Sequence, residues 1–122
     1  MNIDELTKNI RKVSSEKNVQ ELAEFIQKWK TDEQNAFELK ESVERYHGNA
    51  WIVKKADFEK VYGMWSEFWN SAINGIGGMT MNERLYWFGL FELFENARNE
   101  TEQEKYYRKL MAKKWTLIKR KK

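Results

Sequence analysis

The chain has 122 residues, enough for one domain with a sizeable core, and 34% of them are charged against 15% aromatic. It carries no cysteine and one histidine, which excludes a disulfide framework, a thiolate zinc site, a cysteine nucleophile and a multi-histidine metal centre. The net charge of +3 is small but split: residues 105–122 hold nine Lys or Arg and no acid, whereas residues 1–104 hold 13 basic and 19 acidic residues, a net of −6.

High charge with six Trp, seven Phe and five Tyr describes two-sided helices around an aromatic core, and the absence of proline suits uninterrupted helices. The mean hydropathy of −0.86 agrees with that reading. The expected architecture is all-α, a single domain over residues 1–122 built as a bundle of five or six helices, with a basic tail at about residues 119–122. The start, Met1-Asn2-Ile3-Asp4-Glu5-Leu6, has acids where a secretory signal carries basic residues. The longest apolar run, residues 85–91, is far short of the about 20 residues that span a bilayer, so a cytoplasmic protein without a membrane span is expected.

Five tetrads fit a helix-start pattern in which a short polar side chain accepts from an early backbone N–H and Glu or Gln reaches back: Asn2 with Glu5, Asn18 with Glu21, Thr31 with Gln34, Thr80 with Glu83, and Thr101 with Glu104. The first helix, about residues 3–14, places Ile3, Leu6, Ile10 and Val13 on one stripe. The second aligns Val19, Leu22, Ile26 and Trp29, with Phe25 beside them, and the third aligns Ala36, Leu39, Val43 and Tyr46 before Gly48 ends it. Nothing between Lys28 and Gln34 is a strong breaker, so residues 18–46 are expected to form one long helix or a sharply kinked pair.

Trp51, Ile52 and Val53 follow as a short apolar linker packing down over the core. A helix at about residues 54–73 carries Phe58, Val61, Tyr62, Trp65, Phe68, Trp69, Ala72 and Ile73, a broad core-facing stripe. Gly75, Gly77 and Gly78 then make a tight turn. From Met81 the next helix reads as apolar nearly all round through residues 85–91, as a central helix would, with Gly89 inside it as a point of close approach for a neighbouring helix. The last helix, about residues 102–119, shows Tyr107, Met111, Trp115 and Ile118.

Catalytic and cofactor chemistry finds no foothold. Glu44-Arg45-Tyr46-His47 supplies the Glu-x-x-His spacing of a dinuclear carboxylate site once, and such a site needs a second copy. Gly75-Ile76-Gly77-Gly78 lacks the Lys-Ser/Thr and the preceding strand of a phosphate loop. The expectation is a protein with no catalytic residues, no metal and no cofactor. Two binding readings remain. Six tryptophans are many for such a core, and Trp51, Trp69 and Trp87 are candidate anchors for a protein partner or a second copy of the chain. In the alternative reading, Lys105, Arg108, Lys109, Lys113 and Lys114 contact nucleic-acid phosphates from the last helix.

The segment Gly78-Met79-Thr80-Met81-Asn82-Glu83-Arg84-Leu85, continued by Gly89-Leu90-Phe91 and Phe94, resembles a C-terminal segment of small uncharacterised bacterial proteins with an MT-x-NERL…G-L-F-x-x-F pattern. It covers about twenty residues, and Tyr86-Trp87-Phe88 departs from it. The resemblance implies a bacterial or phage-related origin and no assigned reaction. By analogy with small helical proteins of that kind, it suggests an immunity- or antitoxin-type inhibitor.

Overall fold

Asn2 starts the first helix with both halves of a capping box: its side chain accepts from the Glu5 N–H, and the Glu5 carboxylate accepts from the Asn2 N–H, each at 3.0 Å. The computed structural model describes residues 1–49 and 54–112, with side chains at all of these but 47–49. Among the described residues there are seven α-helices and no strand: α1 (Ile3–Val13), α2 (Lys17–Lys28), α3 (Ala36–Asn49), α4 (Lys55–Phe68), α5 (Met81–Trp87), α6 (Phe91–Glu95) and α7 (Glu100–Lys109). The all-α bundle is as expected, with more and shorter helices. No helix among the described residues is long and apolar enough to cross a membrane.

Most positions of the apolar stripes read from the sequence are buried. Tyr62, expected on the core-facing stripe of α4, and Met111, expected on that of the last helix, are exposed instead. Ile3, Leu6 and Ile10 of α1 meet Val19, Leu22, Ala23 and Ile26 of α2, and α1 packs against α4 as well. The end of α1 is closed from α2: the Gln20 amide donates to the carbonyls of Arg11 (2.9 Å) and Ser14 (2.7 Å), which no helix turn follows. An aromatic chain runs through the centre. Trp29 lies 5.3 Å from Phe88, Phe88 meets Phe68 edge to face at 5.6 Å, and Phe68 lies 5.8 Å from Trp65.

Residues 18–46 are not one helix. After α2 a 3-10 turn, Trp29–Thr31, leads to Asp32, whose carboxylate accepts from the Gln34 N–H at 2.8 Å. The new helix starts at Asn35, not at Thr31, because Asn35 and Glu38 form a reciprocal capping box with both bonds at 2.9 Å. Two other starts also move. α2 begins at Lys17 without a side-chain cap, and α7 is capped by Asn99, which accepts from the Glu102 N–H at 2.9 Å. Thr80 with Glu83 is the start the pattern predicts, and those bonds hold the Glu83 carboxyl below its ordinary range. The helix expected over residues 54–73 keeps its direction, but its last part, Trp69–Ile73, widens to a π turn closed by Asn74 N–H to Trp69 O at 2.9 Å.

The run 85–91 is not one central helix. Gly89 has φ +62° and ends α5 in a Schellman turn: its N–H donates to the Tyr86 carbonyl at 3.2 Å, and the Leu90 N–H donates to the Leu85 carbonyl at 2.9 Å. Leu85, Phe88 and Leu90 therefore point inward, while Tyr86 and Phe91 stay at the surface. The close approach expected at Gly89 is real, but the neighbour is the Asp4 carboxylate of α1. A Cβ at Gly89 would lie 2.5 Å from Asp4 Oδ2. Asp4 Oδ1 is in turn held by Gln27 (3.0 Å) and Lys30 (2.9 Å).

The last helix stops at Lys109 instead of running to residue 119. Met111 takes φ 59°, with Ala112 N–H donating to the Tyr107 carbonyl at 2.7 Å, a second Schellman-type end with methionine where glycine is usual. Trp115 and Ile118, and the tail at residues 119–122, lie outside the described residues.

Both left-handed positions give expected outcomes. Gly89→Ala destabilises the protein by about 1–2 kcal/mol from the backbone alone, more with the displaced carboxylate. In urea titrations, Asp4→Ala in the same background recovers the carboxylate part and leaves the backbone part. Met111→Gly goes the other way, raising stability by about 0.5–1 kcal/mol, because relief of the left-handed strain exceeds the added freedom of glycine in the unfolded chain. An unchanged or lower urea midpoint for Met111→Gly contradicts the assignment.

Candidate partner-binding surface

The side chains left over once the core is filled gather on α2 and α3. Phe25 sits one residue off the α2 stripe, so it is 36% exposed, and its ring lies 5.7 Å from that of Tyr46 on α3. Phe25, Gln34, Ser42, Arg45 and Tyr46 line an open groove of about 460 Å³ between the two helices. Its floor is polar and ordered: the Gln34 amide donates to the Ser42 hydroxyl at 3.1 Å, and an Arg45 nitrogen lies 3.5 Å from the same oxygen. The Tyr46 hydroxyl lies 3.3 Å from the Asn18 carbonyl and 3.4 Å from the Glu21 carboxylate, one proton between two acceptors. Burial, and then the neighbouring Glu21 charge, push the Tyr46 phenol above its ordinary pKa.

Arg45 also borders a second recess, shared with Glu41 and Glu44. On α3, Phe37, Glu41 and Glu44 follow one another at helical spacing on the side away from Ala36, Leu39 and Val43. Phe37 is 43% exposed there. The result is an amphipathic surface at the groove: a half-exposed phenylalanine and a tyrosine, with Arg45 and the exposed carboxylates of Glu41 and Glu44 beside them. Phe37 lies on the flank of α3 opposite Tyr46. Phenylalanines left out of a core stripe are the residues that such a surface needs.

Of the tryptophans singled out from sequence, the two that the structure describes are partly buried. Trp51 lies outside the described residues. Trp69 packs against the core and carries the Lys40 ammonium over its ring at 4.3 Å, while its indole N–H has no acceptor among the described residues. Trp87 also packs on the core and turns an edge contact of 6.1 Å toward Tyr86, the ring that does face outward. Phe25, Phe37, Tyr62, Tyr86 and Phe91 are the exposed aromatics among the described residues, and the sequence reading passed over them as binding candidates. Their signal was a position off the buried stripe, and counting tryptophans hides it.

The basic set divides as well. Lys113 and Lys114 lie outside the described residues. Arg108 is exposed and paired with Glu104 at 3.8 Å. Lys105 donates to the Thr31 carbonyl at 3.0 Å and pairs with Glu33 at 3.7 Å. Lys109 is buried, with its ammonium donating to the Asp32 carbonyl (2.8 Å), the Asp32 carboxylate (2.9 Å) and the Gln34 carbonyl (2.8 Å). It also lies 4.2 Å from the centre of the Trp29 ring. An ammonium has three protons and all three are taken, so Lys109 is not a phosphate contact in this fold. Among the described residues no three His, Cys, Asp or Glu side chains stand together to hold a metal ion.

No protein-family model matches the chain, and no curated protein or solved structure is detectably similar to it. The segment from Gly78 to Phe94 is therefore read from its geometry: a capped helix, a Schellman turn and a short helix.

The groove has a pH signature. Because the folded Tyr46 pKa lies above its unfolded value near 10, its stabilising share is complete below pH 10 and is lost as pH rises through the folded pKa. Ultraviolet titration is expected to show one tyrosine ionising late. Glu21→Gln moves it part of the way back, since burial remains, and Tyr46→Phe removes the late step. A late step that persists in Tyr46→Phe refutes the assignment.

Proposed function

We propose that this protein is a non-enzymatic interaction module that docks a protein partner through the α2–α3 surface, and that it acts in the manner of an immunity- or antitoxin-type inhibitor by covering its partner. The observation that carries the reading is the half-exposed Phe25 in the Tyr46 groove, with Arg45 joining that groove to the recess of the exposed acids Glu41 and Glu44. Apolar anchors set in a polar rim are the usual anatomy of a recognition surface, and a few such anchors carry most of the binding energy. The small-protein resemblance of the segment from Gly78 to Phe94 points the same way by analogy. A second copy of the chain is the other occupant such a surface admits.

The alternative, a nucleic-acid-associated protein, has less support among the described residues. Of the five basic candidates, Lys109 is enclosed, Lys105 is tied to Thr31 and Glu33, and Arg108 stands beside Glu104.

The test is affinity capture from native lysate with quantitative mass spectrometry, comparing the wild type with the Phe25→Ser, Arg45→Ala double variant after circular dichroism has shown both to be folded. A partner present in stoichiometric amount, and depleted about tenfold or more in the double variant, is the expected result. Capture that ignores both substitutions removes the α2–α3 surface from the reading. A turnover activity abolished by one carboxylate substitution would replace the reading with an enzyme. Retention on DNA at low salt but not high salt would favour the alternative.

A further inference from the structure

Helix α7 is held to the protein in an unusual way. Its sequence, Glu100-Thr101-Glu102-Gln103-Glu104-Lys105-Tyr106-Tyr107-Arg108-Lys109, has no apolar stripe, and its one fully buried residue is a lysine. Among the described residues its backbone lies close to no other helix over any length, and Tyr106 alone of its residues packs against the core cluster. Its attachments are long side chains: Lys105 to the Thr31 carbonyl, Tyr106 and Tyr107 edge-on to Phe94 at 6.2 and 5.6 Å, and Lys109 in its seat. Just past the helix, buried Leu110 and the bond from Arg84 to the Leu110 carbonyl (2.9 Å) complete the set.

The Lys109 seat is a cation receptor built from another part of the chain. Two backbone carbonyls and one carboxylate converge on the ammonium, and the Trp29 ring closes the remaining side. All of these groups belong to the turn between α2 and α3. A lysine in such a seat gains directional bonds but leaves water to do so, and the burial pulls its pKa down against the raising effect of Asp32. Polar attachments of this kind exchange readily for water when the helix lifts. The apolar packing of α1, α2 and α4 has no such substitute.

From this geometry we infer that α7 is a releasable latch, opening as a unit from an intact α1–α4 core, and that its closure fixes the edge of the α2–α3 groove. The second half rests on the reading of that groove as the docking surface. The connection is Gln34: its backbone carbonyl accepts from Lys109, while its side chain holds Ser42 and lines the groove. With Lys109 seated, Gln34 has one position. With α7 lifted, the turn from Asp32 to Gln34 loses three of its bonds and the groove loses a fixed wall.

Native-state hydrogen exchange on the full chain reads the latch without any substitution. Amides of α7 are expected to exchange through an opening at least about tenfold more populated than the opening that exposes α1 and α2, with a shallow dependence on denaturant. Lys109→Met should lower α7 protection by a further factor of about ten or more while α1, α2 and α4 keep theirs. The same variant should shift the backbone resonances of Ser42 and Arg45. Where Lys109→Met does not fold, Lys105→Ala serves, with a smaller loss confined to α7. Added n-butylammonium should restore α7 protection in Lys109→Ala, and n-butanol should not, because the seat recognises a cation.

Equal protection in α7 and α1, or a uniform loss in Lys109→Met, overturns the latch. A local loss in α7 with unmoved Ser42 and Arg45 resonances overturns the link to the groove. If the latch opens as described but partner capture ignores Phe25 and Arg45, the docking surface is wrong and the latch stands.

Discussion

Phe88 has to touch Trp29 and Phe68 at once, and the chain turns out of α5 directly after it. A helix continuing through residue 91 would keep Phe88 beside Leu85, three residues back, but would carry Leu90 to the other side. The left-handed turn at Gly89 instead folds Leu90 back beside the same interior as Leu85 and Phe88. The aromatic chain from Trp29 to Trp65 passes through this one ring, so the end of α2, the α5–α6 corner and α4 share a single packing constraint. Asp4 adds a polar constraint at the same corner. Its carboxylate fills the space a side chain at Gly89 would take, and Gln27 and Lys30 fix it there. α1, α2 and the α5–α6 corner thus meet at a position where only glycine satisfies both the backbone angle and the contact.

Around that centre the protein uses two kinds of attachment. α1, α2, α3 and α4 bury apolar stripes and need no further explanation than removal of that surface from water. α7 is joined by ions, carbonyls and tyrosine edges. The difference has energetic content. Each buried Leu, Ile or Val contributes about 1.5–3 kcal/mol, and a hydrogen bond to a charged group a similar net amount once exchange with water is counted, so α7 differs in having few attachments rather than in the worth of each. An element of the second kind is the natural place for motion in a protein whose remaining helices share one core.

Much of the fold was legible because it rests on periodicity. The stripes Ile3-Leu6-Ile10, Val19-Leu22-Ile26 and Leu39-Val43 are buried as their spacing requires. Two helix starts, at Asn2 and Thr80, follow from a local rule and were found by it. The failures share a cause: each depends on a partner distant in the chain. Asn35-Ala36-Phe37-Glu38 fits the same capping pattern as Thr31 with Gln34. That stretch is held as a turn both locally, by the Asp32 carboxylate on the Gln34 N–H, and by Lys109, more than seventy residues away, on the carbonyls of Asp32 and Gln34. Gly89 within a run of seven apolar residues looked like a tolerated interruption, because a buried helix and a buried corner have the same composition. Lys109 looked like a surface charge because sequence records the charge of a residue and not the oxygens around it.

The candidate surface was less legible than the fold, for a related reason. A tryptophan count says how much aromatic area a chain has, not which rings the core leaves outside. Trp29 and Trp65 are enclosed and Trp69 is covered by Lys40, so the large rings serve the interior. The smaller rings of Phe25 and Phe37 remain outside because each is displaced from a stripe whose buried positions are already filled. A phenylalanine in that position gains little from folding, and its exposed area remains available to a partner. The same reasoning separates the two functional readings. Lys105 and Lys109 are taken up in closing the fold, whereas the carboxylates of Glu41 and Glu44 and about a third of Phe25 remain exposed to solvent.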